Sequence, residues 1–113
     1  MKIYGTQSSR AVRPIWTAEE MGLEYELEMM PFPPRVFQKE YLETNVLGTV
    51  PYLVDGDVKM TESVAMCQYI VEKYGPTDLC VQPDEKDYPN YLNWLFHSDA
   101  TLTFPQTVVL RYK

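Results

Sequence analysis

An α/β domain with the order βαβ, short helix, ββα, followed by the first helix of an all-helical unit, is the fold predicted by this 113-residue sequence. Three observations carry the expectation. Short strand-like runs alternate with helical periodicity from the amino end. Asp55-Gly56 stands between two apolar runs, as in a β-hairpin. Two segments of 3.6-residue periodicity, 63–74 and 88–102, are separated by a polar stretch carrying Pro83. The expected organisation is therefore residues 1–76 as the α/β domain, 77–86 as linker and 87–113 as the start of a helical domain.

"KIY" at 2–4 opens as a strand and stops at Gly5, and "TQSS" supplies a strand-to-helix loop. Ser8 or Ser9 is the natural N-cap of the first helix, whose inward stripe is Val12, Ile15 and Trp16 and whose end is Gly22. Pro14 lies about one turn into that helix and predicts a kink. "LEYELEMM", 23–30, alternates acidic and apolar residues as a half-buried strand, and "PFPP" forces an extended loop. A short, loosely held helix is expected over 36–44. The "PYLV" and "DVKM" runs form an antiparallel pair through a type I′ turn at Asp55-Gly56. Cys67, Ile70, Val71 and Tyr74 share one face of a helix from about Ser63, ended by Gly75-Pro76.

In the second unit Tyr88, Tyr91, Leu92, Leu95, Asp99 and Leu102 share a helical face, which Pro105 should break or kink. The sequence stops before a partner helix arrives, so the chain is expected to be the front part of a longer protein.

Composition narrows the function classes. A net charge of -6 works against nucleic acid binding, since phosphates demand a Lys/Arg patch. No apolar run approaches eighteen residues and no leader is seen, so neither membrane nor secretion is expected and the cytoplasm is the expected location. Cys67 and Cys80 match no redox or zinc spacing, and with His97 the only histidine, no metal site is expected. Cys67 reads as a small core residue and His97 as structural or surface.

Chemistry concentrates in "GTVPYLVDGDVKMTES", 48–63. Pro51 precedes a strand rather than interrupting one. A cis Val50-Pro51 bond, which costs only about 0.5–1 kcal/mol for X-Pro, would turn the Val50 N–H and C=O outward to pair with an extended peptide. The alternative is a proline that merely begins a strand. Thr61-Glu62-Ser63 opens a helix, and free helix N–H groups with Ser63 suit a carboxylate while Glu62 suits an ammonium, together an α-amino acid head group. Plain capping by Thr61 or Ser63 is the competing reading. Ser8 and Ser9 could stabilise a developing anion or simply cap.

"KIYG", "EEMGLEYE", "NVLGTVPYLVDGD" and "MTESVAMCQYIVEKYG", in that order over about residues 2–75, resemble the glutathione transferase superfamily, in its bacterial, serine-using form. "YLNWLFHSDATLTF" is similar to the first helix of that family's all-helical second domain. The resemblance implies a thioredoxin-like first domain with Pro51 cis. Val50 and Pro51 would read the cysteinyl part of glutathione, and Glu62 and Ser63 its γ-glutamyl end. The hydroxyl beside the sulfur matches Ser9, with Ser8 one residue off and Thr6 the match to theta- and delta-type members; Tyr4 matches the tyrosine-using classes. Gln38, Lys39 or Arg35 would take the glycine-end carboxylate, where relatives carry a histidine that "PRVFQK" lacks. No cysteine precedes residue 67, which argues against the thiol-using branches.

The implied activity is conjugation in detoxification. Glutathione is the co-substrate, its thiol is activated as thiolate by a hydroxyl donor, and the second substrate is a small apolar electrophile bound by a homodimer. A non-enzymatic interaction module and a glutathione-dependent peroxidase or isomerase are the alternatives.

Overall fold

The structure, a computed structural model, describes residues 1–112 and divides into two compact units, Met1–Thr77 and Asp78–Lys113. The first is built on a four-stranded sheet of β1 (Lys2–Gly5), β2 (Glu26–Met29), β3 (Tyr52–Asp55) and β4 (Val58–Met60). Their order is β2-β1-β3-β4. β1 runs parallel to β2 and antiparallel to β3, and β3 is antiparallel to β4. A parallel pair needs a crossover, supplied by α1 (Val12–Glu20).

Period-two alternation sorts the strand side chains onto two faces. Ile3 and Leu53 point to one face, where fully buried Met66 and Ile70 of α4 (Ser63–Lys73) join them, with Ile15 of α1 packed alongside. Burying each such side chain contributes about 1.5–3 kcal/mol. On the opposite face Tyr4 and Tyr52, partners across the β1–β3 ladder, meet Met30 and Tyr41. The ring of Tyr4 lies 5.6 Å from that of Tyr41 and 6.0 Å from that of Tyr52.

Several local expectations are corrected. α1 starts at Val12 with Ala11 at its N-cap, not Ser8 or Ser9, so Pro14 falls in the first turn, where its missing N–H costs nothing and no kink is needed. The buried side of α1 is Pro14 and Ala18 with Ala11 just ahead, whereas Val12 is 56% and Trp16 64% exposed. The strand expected over 23–30 is confined to Glu26–Met29 at the sheet edge, and its apolar side chains are exposed. The segment expected as one helix forms two single turns, α2 (Pro34–Phe37) and α3 (Tyr41–Thr44).

The hairpin is also displaced by one residue. Asp55 pairs with Val58, which leaves Gly56 and Asp57 as the loop. Only Gly56 has a positive φ, +60°, a pattern that fits a type II′ turn with glycine first rather than type I′. Asp55, kept in the strand, accepts hydrogen bonds from Tyr74 (2.6 Å), Tyr69 (2.8 Å) and Lys73 (3.1 Å), and its other oxygen lies 3.5 Å from the Met1 amine. These ties fasten the end of α4 to the hairpin.

In the second unit α5 (Tyr88–His97) passes through a π-helical segment, Ser98–Thr103, into α6 (Phe104–Tyr112). Pro105 does not break the helix. It sits in the first turn of α6, and the widened turn ahead of it, with Phe104 N–H bonded to the Asp99 carbonyl, changes the carbonyl spacing that the ring would otherwise meet. His97 is half-buried, edge-on to Trp94 at 5.2 Å. No helix among the described residues is long and apolar enough to cross a membrane.

Candidate functional site

The strand register gathers the sequence-predicted residues at one end of the sheet. Tyr4 pairs with Tyr52, so one and two steps further along the antiparallel ladder Gly5 and Thr6 come level with Pro51 and Val50. Leu53 pairs with Met60, so the same extension brings Thr61 and Glu62 level with Tyr52 and Pro51. Val50-Pro51 therefore lies between the loop that leaves β1 and the start of α4, the three regions that carry the candidate chemistry.

The Val50-Pro51 peptide is cis. Among the described residues neither the N–H nor the C=O of Val50 enters a loop or turn hydrogen bond, so this edge keeps its pairing capacity. Asn45 positions the loop that leads there, a role the sequence reading missed. It is only 4% exposed; its Nδ2 donates to the Thr49 carbonyl (3.0 Å) and its Oδ1 accepts from the Leu47 N–H (3.1 Å). The Tyr41 hydroxyl donates to the same Thr49 carbonyl at 2.7 Å. Burial pushes the Tyr41 phenol above its ordinary pKa. The Asn-x-x-Gly spacing of 45–48 was the available signal, an Asx turn closed by a left-handed glycine.

The three candidate hydroxyls differ in circumstance. Ser9 is half-buried; its Oγ accepts from the Ala11 N–H (3.2 Å) and donates to the Thr6 carbonyl (2.9 Å). Ser8 is exposed at a left-handed φ of +57°, uncommon for a residue with a Cβ. Thr6 is 3% exposed, and its Oγ1 is buried with no hydrogen-bond partner among the described residues. Tyr4 is packed in the tyrosine cluster, with the Lys2 ammonium 4.7 Å from its ring centroid.

At the start of α4 the N-cap is Glu62 in extended conformation, and no side chain caps the helix. The capping reading for Thr61 and Ser63 is therefore corrected: Thr61 donates instead to the Glu62 carboxylate at 2.9 Å. The first N–H groups of the helix remain available to a ligand. Ser63, 8% exposed, accepts from Arg13 Nη1 at 3.0 Å, a contact between residues fifty apart. Gln38 bridges α2 and α3 through its backbone, and Lys39 and Arg35 are exposed. No hydrogen bond among the described residues ties the side chains of these three to the other regions.

A four-stranded mixed sheet with a parallel β1–β2 pair, covered by α1 and α4 on one face and bearing a cis-proline before β3, defines a thioredoxin-like domain. Residues 1–72 match the family model described as "Glutathione S-transferase, N-terminal domain", and the chain belongs to that family. It is 29% identical over 100 residues to glutathione S-transferase 3 of Schizosaccharomyces pombe, an alignment covering 88% of this chain and 41% of that protein. Among solved structures it is similar to BphK, a bacterial GST crystallised as a ternary complex, with a TM-score of 0.73 and 28% identity over 88% of this chain and 52% of that one. It is also similar to a glutathione transferase homolog from Drosophila mojavensis with bound glutathione, at TM-score 0.64 and 30% identity over 74% of this chain and 39% of that one. The chain thus spans about half or less of the relatives it matches.

Proposed function

We propose that this chain is the glutathione-binding part of a glutathione transferase. The observation that supports this reading most is the convergence, at one sheet end, of an unpaired backbone edge at Val50, an uncapped helix start at Glu62-Ser63 and a serine turn at Ser9. Val50 and Pro51 hold the middle of the tripeptide, as an added strand would be held. The α4 N–H groups and Ser63 take the γ-glutamyl carboxylate, and Glu62 takes its ammonium. Gln38, Lys39 and Arg35 are the groups on the α2–α3 side for the glycine carboxylate.

Ser9 is the hydroxyl that meets the sulfur. Its oxygen already accepts the Ala11 N–H, so it enters a new contact as a donor by turning its proton from the Thr6 carbonyl to the ligand. A thiol with a pKa of about 8.5 is only a few per cent ionised at neutral pH. Favouring the anion by about two pKa units, roughly 2.7 kcal/mol, makes thiolate the main form. The serine keeps its proton throughout, and the thiolate attacks the electrophile. Thr6, being buried, and Ser8, being exposed, are the weaker candidates.

The reading extends to an apolar electrophile, detoxification and a homodimer, the last supported by exposed Phe32, Phe37, Val46 and Leu47. Two free cysteines suit a reducing compartment such as the cytoplasm. The test is glutathione titration by calorimetry together with conjugation assays on Ser9→Ala in the full chain. Binding is expected to be mostly kept and turnover to fall about 10- to 100-fold, the size of a lost charge-assisted hydrogen bond. Turnover unchanged in Ser9→Ala, Ser8→Ala and Thr6→Ala alike removes the hydroxyl mechanism, and absence of binding heat with glutathione at millimolar concentrations removes the function.

A further inference from the structure

We infer that the π-helical turn of the second unit is a register device. Pro105 demands it, Thr103 latches it, and its extra residue rotates the helix beyond it, so that Thr103 and Thr107 rather than Leu102 and Gln106 continue the half-buried face of α5. The inference is independent of the function proposed above.

Three observations within this one helical run carry it. The first is the pattern of exposure. Along α5 the half-buried side chains include Tyr88, Tyr91, Leu92 and Leu95, the periodic face that the sequence predicts. An uninterrupted α-helix, turning by about 100° per residue, carries that face on to Leu102, Gln106 and Val109. All three are exposed, Leu102 by 55%, whereas Thr103 and Thr107 are half-buried. A face displaced by one position is what one residue added to a turn produces, a rotation of about 100°.

The second is the Thr103 hydroxyl, which donates to the Ser98 carbonyl, five positions back, at 2.7 Å. In an α-helix a hydroxyl side chain reaches the carbonyl three or four positions back. Ser98 does so to Leu95 (2.6 Å) and Thr107 to Thr103 (3.2 Å), before and after the widened turn. The longer reach of Thr103 fits only a five-residue turn, and by engaging the Ser98 carbonyl it holds that turn in place.

The third is Pro105. A π-turn is rare and calls for a local cause. In an uninterrupted helix the ring of Pro105 would run into the Thr101 carbonyl, four positions back, and leave it without a donor. Instead the Phe104 N–H is bonded to the Asp99 carbonyl, which moves the carbonyl ladder by one place immediately ahead of the proline.

The test is solution NMR on the full 113-residue chain, in which couplings across hydrogen bonds identify the acceptor of the Phe104 N–H. A soluble paramagnetic chelate reports the exposure of the Leu102 and Thr107 methyl groups in the same samples. In the wild type the acceptor is expected to be Asp99, with Leu102 relaxed at least about twofold more strongly than Thr107. In Pro105→Ala the acceptor is expected to move to Ala100 and the order of the two methyl groups to reverse. Thr103→Val, which removes the latch and keeps the branched shape, should lower the exchange protection of the Phe104 amide about fivefold, the size of one lost hydrogen bond. Thr103→Ser should keep it. Deleting Ala100, an exposed residue, takes out the added position and leaves the proline, so the thermal midpoint should fall, and adding Pro105→Ala should restore it. A wild-type acceptor at Ala100 overturns the inference outright, as does a folded Pro105→Ala protein that keeps Asp99 as acceptor and Leu102 as the more exposed methyl. Should Pro105→Ala fail to fold, the deletion decides: an Ala100 deletion that leaves the thermal midpoint unchanged with the proline in place overturns it as well.

Discussion

Replacing Asn45 with alanine should loosen the Val50-Pro51 edge, proposed above to hold glutathione, without touching it. The side chain makes two well-formed hydrogen bonds, to the Thr49 carbonyl at 3.0 Å and from the Leu47 N–H at 3.1 Å, while its contacts to Tyr41 Oη and Thr49 Oγ1 are 3.4 Å and weaker. At about 1 kcal/mol each, the two strong bonds give a loss of about 2 kcal/mol. The loss is not larger because the Thr49 carbonyl keeps the Tyr41 hydroxyl and the exposed Leu47 can recruit water for its N–H. Urea unfolding followed by circular dichroism measures this term. The functional effect should be a fivefold to tenfold weaker glutathione Kd, since the segment from Thr49 to Pro51 loses its tether and must be ordered on binding. Tyr41→Phe alone should cost about 1 kcal/mol, and combining it with Asn45→Ala should cost more than the sum, because both donors serve one carbonyl. An Asn45→Ala protein less than about 0.5 kcal/mol below wild type, or one with unchanged glutathione affinity, would refute the tethering argument.

Gly48→Ala should destabilise by about 1–3 kcal/mol in the same unfolding assay, because φ is +64° and the new Cβ would stand 2.9 Å from both Arg35 Cβ and Leu42 Cδ2. The Tyr74 hydroxyl first, with Tyr69 and Lys73, holds the Asp55 carboxyl well below the usual carboxylate range. Its stabilisation is therefore present above the unfolded value near 4 and lost as pH falls below it. Asp55→Asn should lower stability by about 2 kcal/mol at neutral pH and flatten the decline between about pH 4 and pH 2; an unchanged acid limb would count against the network. Burial pushes the Cys67 thiol up, so iodoacetamide should label it at least about tenfold more slowly than free cysteine at pH 7, with the difference abolished in denaturant.

What could be read from the sequence was what local pattern encodes. The order of strands and helices, the hairpin and α4 follow from short-range periodicity and from Gly75-Pro76 as a stop. α1 was legible as a helix, but its face was not. Large apolar residues drew attention to Val12 and Trp16, yet the side that meets the core uses Pro14 and Ala18, small residues that allow close approach of the helix and carry little hydrophobic signal. The polar ties were illegible for a different reason. Arg13 finds Ser63 across fifty residues, and Asp55 finds Tyr69, Tyr74 and Lys73 only because β3 and α4 have already folded together. Asn45 was local and could have been found, but a turn asparagine is too common to stand out. At Pro105 the rule that proline interrupts helices was sound, and the chain met it by widening the preceding turn.

The strand order carries a consequence for biosynthesis. β1 occupies an interior lane of the sheet, but it leaves the ribosome ahead of both strands that flank it, and β3 begins about fifty residues later. At 5–20 residues per second that gap lasts roughly 2–10 seconds. For that interval the nascent Ile3 strand has no antiparallel neighbour, so the emerging polypeptide is most exposed to wrong pairings before the β3–β4 hairpin has been translated.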